Sequence, residues 1–123
     1  MNKKVLIFED DSATAEFSGI IADQLGFDVA YRTKTNNVLD DVMQEKPDLI
    51  IMDNWIPGKG GVASINMLKQ NERTKQIPII FYSANTDFAN LAQSTKADAF
   101  LSKPFDIQDF ESIIQALIPD SKK

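Results

Sequence analysis

Two unbroken apolar runs, Val5-Leu6-Ile7-Phe8 and Leu49-Ile50-Ile51-Met52, do most to constrain what this chain can become. Neither alternates with polar residues, so neither suits a strand with one wet face. Each reads as a strand buried on both sides. Both runs also stop at acids: Glu9-Asp10-Asp11 follows the first, and Asp53 follows the second. A turn containing Pro57, Gly58, Gly60 and Gly61 comes next. The carboxyl edge of the strands is where open α/β sheets bind ligands. If the two strands are parallel neighbours, at least three carboxylates converge on one small volume. Like charges that close are costly unless something neutralises them, and the fitting partner is a hard divalent cation. The pattern predicts an acidic cation pocket with one carboxylate left over as a nucleophile.

Apolar runs alternate with helical patterns five times along the chain. The expected strands are Val5–Phe8, a weaker Asp28–Tyr31, Leu49–Met52, Ile79–Tyr82 and a short Ala99–Leu101. After the first strand, Phe17, Ile20, Ile21 and Leu25 fall at helical spacing, with Gly26 as the stop. Asn36 is a candidate cap for a second helix whose inner stripe is Val38, Leu39, Val42 and Met43, ended by Pro47. A third helix is expected from Val62 to Lys69, with Ile65 and Leu68 inward. A fourth carries Phe88, Leu91 and Ala92. The last opens at Asp106 and carries Ile107, Phe110, Ile113, Ile114 and Leu117. Strand–helix repetition of this kind implies an α/β fold, a doubly wound parallel sheet with right-handed crossovers and helices on both faces. One domain over 1–123 is expected, with 119–123 as a fraying tail.

Composition narrows the chemistry. With no cysteine and no histidine, the chain can offer a metal neither thiolate nor imidazole, so the ligands must be oxygen. That leaves magnesium, manganese or calcium. A net charge of -5 argues against a nucleic-acid surface, which needs a basic patch. The N-terminal apolar run is too short for a signal peptide, and no stretch has the length of a membrane span. A soluble cytoplasmic domain, monomeric or weakly dimeric, is the expectation.

Five separated features in this order, Glu9-Asp10, Asp53, Pro57-Gly58, Ser83-Ala84 and Lys103-Pro104-Phe105, resemble the receiver domain of two-component response regulators over nearly the whole length. The resemblance implies a flavodoxin-like sheet of five strands in the order 2-1-3-4-5 with five helices. It implies that Asp53 is the phosphoacceptor, an acyl-phosphate-forming nucleophile. Glu9 and Asp10 match the acidic pair that binds magnesium in the family, with manganese as the alternative, and Asp53 and the backbone carbonyl of Trp55 would complete the shell. Many receivers carry two aspartates at this pair; Glu9 is one methylene longer, so a water-mediated contact is its alternative. Asp11 reads instead as a helix cap, with Ser12 competing. Lys103 would neutralise the transferring oxygens, and its bond to Pro104 would be cis. The Ser83 hydroxyl would donate to a phosphoryl oxygen. Phe100 matches the aromatic that rotates inward behind it, a role that competes with plain core packing. Asn54, Gly60 and Lys96 depart from common family residues without removing a group the chemistry requires. Trp55 and Asn85 flank the site at positions that tune phosphoryl lifetime in the family.

The function implied is a signalling or phosphorelay module rather than a turnover enzyme. Its partners would be a sensor histidine kinase or phosphotransfer protein and a downstream protein target. With only a short tail after the receiver, a stand-alone module is expected. The competing readings are a docking module that is never phosphorylated and an aspartyl-phosphate phosphatase. The phosphatase class places an acid two residues after its nucleophile, where this chain has Trp55. A flavin site fails on charge, because Glu9-Asp10-Asp11 would repel a phosphate at the first helix N-terminus.

Overall fold

In a computed structural model, residues 2–83, 94–102 and 105–119 are described. Five strands, β1 (Lys4–Phe8), β2 (Asp28–Arg32), β3 (Leu49–Asp53), β4 (Ile79–Ser83) and β5 (Ala99–Ser102), form one sheet in the order β2-β1-β3-β4-β5. Every pairing is parallel. The helices among the described residues are α1 (Ser12–Gln24), α2 (Val38–Glu45), α3 (Gly61–Gln70) and α4 (Ile107–Leu117). The helix expected around Phe88, Leu91 and Ala92 falls outside the described residues, as do 120–123 of the expected tail.

The apolar runs become central strands because each of their side chains has a helix layer to enter. Along β1, β3 and β4 alternate residues separate into two cores. Val5, Ile7, Leu49, Ile51, Ile80 and Tyr82 face one core, shared with Ile21 of α1 and with Phe110 and Ile114 of α4. Leu6, Phe8, Ile50, Met52, Ile79 and Phe81 face the other, shared with Val38 and Val42 of α2 and with Ile65 and Leu68 of α3. Layers on both faces explain why β1 and β3 lack the apolar–polar alternation of a one-sided sheet.

One local expectation needs correction, and two apolar series divide between core and surface. The spacing of Phe17, Ile20, Ile21 and Leu25 is helical, yet Phe17 and Ile20 are exposed while Ile21 and Leu25 are buried. Small residues make up much of the inner face of α1, where Ala15, Ser18, Gly19 and Ala22 are buried. The ring of Tyr31 lies across Gly19, where a Cβ would collide with its hydroxyl. Close approach to the sheet thus selects small side chains and turns the larger apolar ones outward. The second helix is capped at Asn37 rather than Asn36, without a side-chain bond from the cap. The Asn36 side chain instead lies over Gly58. Ile107, in the apolar series of the last helix, is exposed; it occupies the first turn of α4, outside the face that carries Phe110 and Ile114.

Other signals translate directly. Gly26, at φ 94°, ends α1. The Asp106 carboxylate accepts from the Asp109 amide at 2.8 Å and caps α4. No helix among the described residues is long and apolar enough to cross a membrane.

An ion network ties α2 to the sheet edge. Arg32 on β2 meets Asp41 at 3.2 Å and Glu45 at 2.6 Å, and Glu45 also holds Lys4 of β1. Hydrogen bonds from Lys4 and Arg32 hold the Glu45 carboxyl below its ordinary range. A carboxyl depressed in the folded state stabilises above the ordinary carboxylate range, and that contribution is lost as pH falls. Urea denaturation of Glu45→Gln should therefore show a loss of about 1 kcal/mol at neutral pH, kept small because water still reaches the cluster. The difference from wild type should close as pH is lowered through the carboxylate range.

Candidate acidic site at the carboxyl edge of the sheet

The parallel register of β1 and β3 pairs Phe8 with Met52, so the next residue of each chain, Glu9 and Asp53, emerges at the same edge. Alternation then turns both acids toward the α1 side of the sheet, the side of Val5, Ile7 and Ile51. Glu9 and Asp53 are each only 3% exposed, while Asp10 faces solvent. One carboxylate oxygen from each of Glu9, Asp10 and Asp53 lies within 4.8 Å of the other two. That spread suits one hard cation with its waters, and an all-oxygen donor set selects magnesium, manganese or calcium over softer metals. The residues present therefore fit the metal that the sequence implied.

The two buried acids are held in the same way. Glu9 Oε2 accepts from the Asp11 amide at 3.1 Å, and Asp53 Oδ2 accepts from the Trp55 amide at 3.0 Å. Each strand thus ends in a carboxylate that folds back onto the backbone N–H two residues on. This gives each charge a backbone donor. Asp11 caps α1, accepting from the Thr14 amide at 2.9 Å and the Thr14 hydroxyl at 2.6 Å. It stands outside the acidic cluster, as its reading as a cap implied.

The loop after β3 leaves the site with Trp55 at 67% exposure. The Asn54 amide donates to the Tyr82 carbonyl at 3.0 Å, extending the β3–β4 ladder by one bond. Ser83, at the end of β4, is fully buried and pairs in register with Ser102 of β5. Phe100 on β5 is partly buried and meets Phe81 edge-on, with ring centroids 6.3 Å apart. Packing with the α2–α3 core is what this geometry establishes for Phe100. Lys103, Pro104 and Asn85 lie outside the described residues, and with them the expected cis bond.

Sequence reasoning misses Tyr82, which reads only as the end of an apolar strand. It is the register partner of Asp53, it is fully buried, and its hydroxyl lies beside Ser18 of α1 and the Glu9 carboxylate. Its ring stacks on Phe105 at 5.6 Å. The available signal was one phenol in the run Ile79–Tyr82, whose other side chains are hydrocarbon, since a buried tyrosine hydroxyl needs a polar neighbour. Burial first, then the charges of Glu9 and Asp53, push this phenol far above its ordinary value. A phenol raised in the folded state contributes stability in full below the ordinary phenol range, and that contribution is lost as pH climbs beyond it. In an alkaline absorbance titration, one of the two tyrosines should give its phenolate signal only as the protein unfolds. Tyr82→Phe should lack that delayed component.

Residues 5–115 match the family model for the response regulator receiver domain. The phosphate regulon transcriptional regulatory protein PhoB of Pseudomonas aeruginosa is 28% identical over 120 residues, which cover 96% of this chain and 52% of PhoB. The chain thus spans about half the length of the curated relatives it matches. Among solved structures, the signal receiver domain of a histidine kinase from Syntrophus aciditrophicus superposes with a TM-score of 0.88 at 25% identity. That match covers 95% of this chain and 90% of the other. The receiver domain of sensor histidine kinase PA1611 from Pseudomonas aeruginosa, with magnesium coordinated in its active-site cleft, has a TM-score of 0.87 at 21% identity. There the coverage is 97% and 99%, and the likeness is one of fold.

Proposed function

This chain belongs to the response regulator receiver domain family, and on that premise we propose that it is a phosphorylation-switched signalling or relay module whose phosphoacceptor is Asp53. The convergence of Glu9, Asp10 and Asp53 within 4.8 Å carries the reading. A docking-only fold has no use for three carboxylates whose repulsion must be offset.

An Asp53 carboxylate oxygen attacks the phosphorus of a phosphohistidine on a partner kinase or phosphotransfer protein. The new O–P bond forms as the P–N bond breaks, and the imidazole leaves with the electron pair and takes up a proton. Little covalent chemistry is asked of the protein, so positioning and charge neutralisation supply the rate. Glu9, Asp10, Asp53 and the Trp55 carbonyl would hold magnesium. When bound, the ion neutralises charge on the transferring oxygens. The amide of Trp55, on Asp53 Oδ2 at 3.0 Å, orients the nucleophile by fixing one of its two carboxylate oxygens. By the family pattern Lys103 and the Ser83 hydroxyl would receive the phosphoryl oxygens. Asp53 is nearly buried, so a new dianionic group there perturbs a crowded, acidic site. The strain would pass to β4 and β5, the downstream protein reading that face. Multiple turnover is not expected, since an acid is missing from position 55, where the phosphatase class uses one to protonate its leaving group.

Intact mass after incubation with acetyl phosphate tests this reading. Wild type should gain a single phosphoryl group in the presence of magnesium and none after chelation, while Asp53→Asn should gain none and keep its fold. An adduct on Asp53→Asn at the wild-type rate would refute the assignment. A folded wild type that gains none, beside a receiver that reacts, would favour the docking-only reading.

A further inference from the structure

Thr35 lies outside the acidic cluster, in the segment between β2 and α2, yet it is fully buried. Its amide and its hydroxyl are both directed at the loop that follows Asp53. Its amide donates to the Pro57 carbonyl at 2.8 Å. Its hydroxyl donates to the same carbonyl at 3.0 Å and accepts from the Gly60 amide at 3.1 Å. Gly60 caps α3 without a side-chain oxygen of its own, so the hydroxyl of Thr35 serves that helix start from another loop. Between the two bonded residues sits Gly58, at φ 103°. A Cβ there would lie 2.5 Å from Asn36 Oδ1 and 2.9 Å from both the amide nitrogen and the hydroxyl of Thr35. The two loops are therefore in contact, and glycine is what permits it.

The ends of the same loop are fixed differently. Asn54 is tied to Tyr82, Trp55 to the Asp53 carboxylate, and Gly61 donates back to the Asn54 carbonyl at 3.3 Å. Thr35 supplies the grip on the middle. We propose that Thr35 is a positioning residue for cation binding, holding the loop from Asn54 to Gly60 in the shape that presents the Trp55 carbonyl and Asp53 to one ion. The inference rests on the assignment of that carbonyl and the acidic cluster to magnesium. Its physical basis is preorganisation: a loop ordered by Thr35 before the ion arrives need not be ordered by the ion. A loop that samples other shapes lowers the apparent affinity by the fraction of time it is competent.

Thr35→Val keeps the shape and removes the hydroxyl, whereas Thr35→Ser keeps the hydroxyl. Magnesium titrations followed in ¹H–¹⁵N spectra, with thermal melts in parallel, separate positioning from stability. Thr35→Val should bind magnesium about tenfold more weakly, at the lower end of what the loss of an outer-shell partner does to metal affinity. Thr35→Ser should stay near wild type. Unchanged magnesium affinity in Thr35→Val, however far its Tm falls, would overturn the proposal, and so would equal weakening in Thr35→Ser. Wild type that binds no magnesium would sink the functional reading as well, whereas failure confined to Thr35→Val leaves that reading standing. If Thr35→Val does not fold, the Gly60 amide of wild type decides. It should be protected from exchange and shift on magnesium addition, and a fast-exchanging Gly60 amide would overturn the proposal.

Discussion

Everything at the carboxyl edge of this sheet follows from one electrostatic problem: the β1–β3 register forces two nearly buried carboxylates, Glu9 and Asp53, beside a third, Asp10. Burial and mutual repulsion both oppose three charges in one place. The fold answers in part with backbone donors, since Asp11 and Trp55 each return an amide to the acid two residues before them. Those bonds orient the carboxylates without cancelling their charge. A hard divalent cation suits the all-oxygen donor set that results.

The surroundings are built to keep this arrangement fixed. Two hydrophobic layers clamp the strands from both faces, so the strand ends have little freedom to relax away from each other. From below, Tyr82 brings a phenol against Glu9 and Ser18, filling with a polar group what would otherwise be hydrocarbon beneath a charge. From the side, Thr35 grips the loop that carries Trp55. Trp55 itself stands exposed at the rim.

Much of this was legible in the residue order. The runs Val5–Phe8 and Leu49–Met52 announced central strands because burial on both faces leaves no room for polar alternation, and Asp53 and Glu9 announced the site by interrupting them. The helices were less transparent. Helical period alone does not say which face is inner, and α1 uses small residues, with Tyr31 laid across Gly19, so Phe17 and Ile20 point outward. Asn36 and Asn37 are equivalent as caps until Asn36 is seen to be occupied over Gly58. Thr35 and Tyr82 were hard to read as site residues for a related reason. The phenol of Tyr82 hinted at a polar neighbour, but which one depends on its register with Asp53. The contact of Thr35 with Pro57 and Gly60 joins loops distant in sequence, which no local pattern carries.

The most direct test of the central claim, that three converging carboxylates make Asp53 a cation-dependent phosphoacceptor, is a crystal structure grown with magnesium and beryllofluoride. The account predicts a fluoroberyllate on Asp53 and one ion touching Asp10, Asp53 and the Trp55 carbonyl at about 2.1 Å, with Glu9 bound directly or through a water. A structure with Asp53 unmodified and no ion among the three acids, from crystals in which a receiver of known chemistry is loaded, would contradict it.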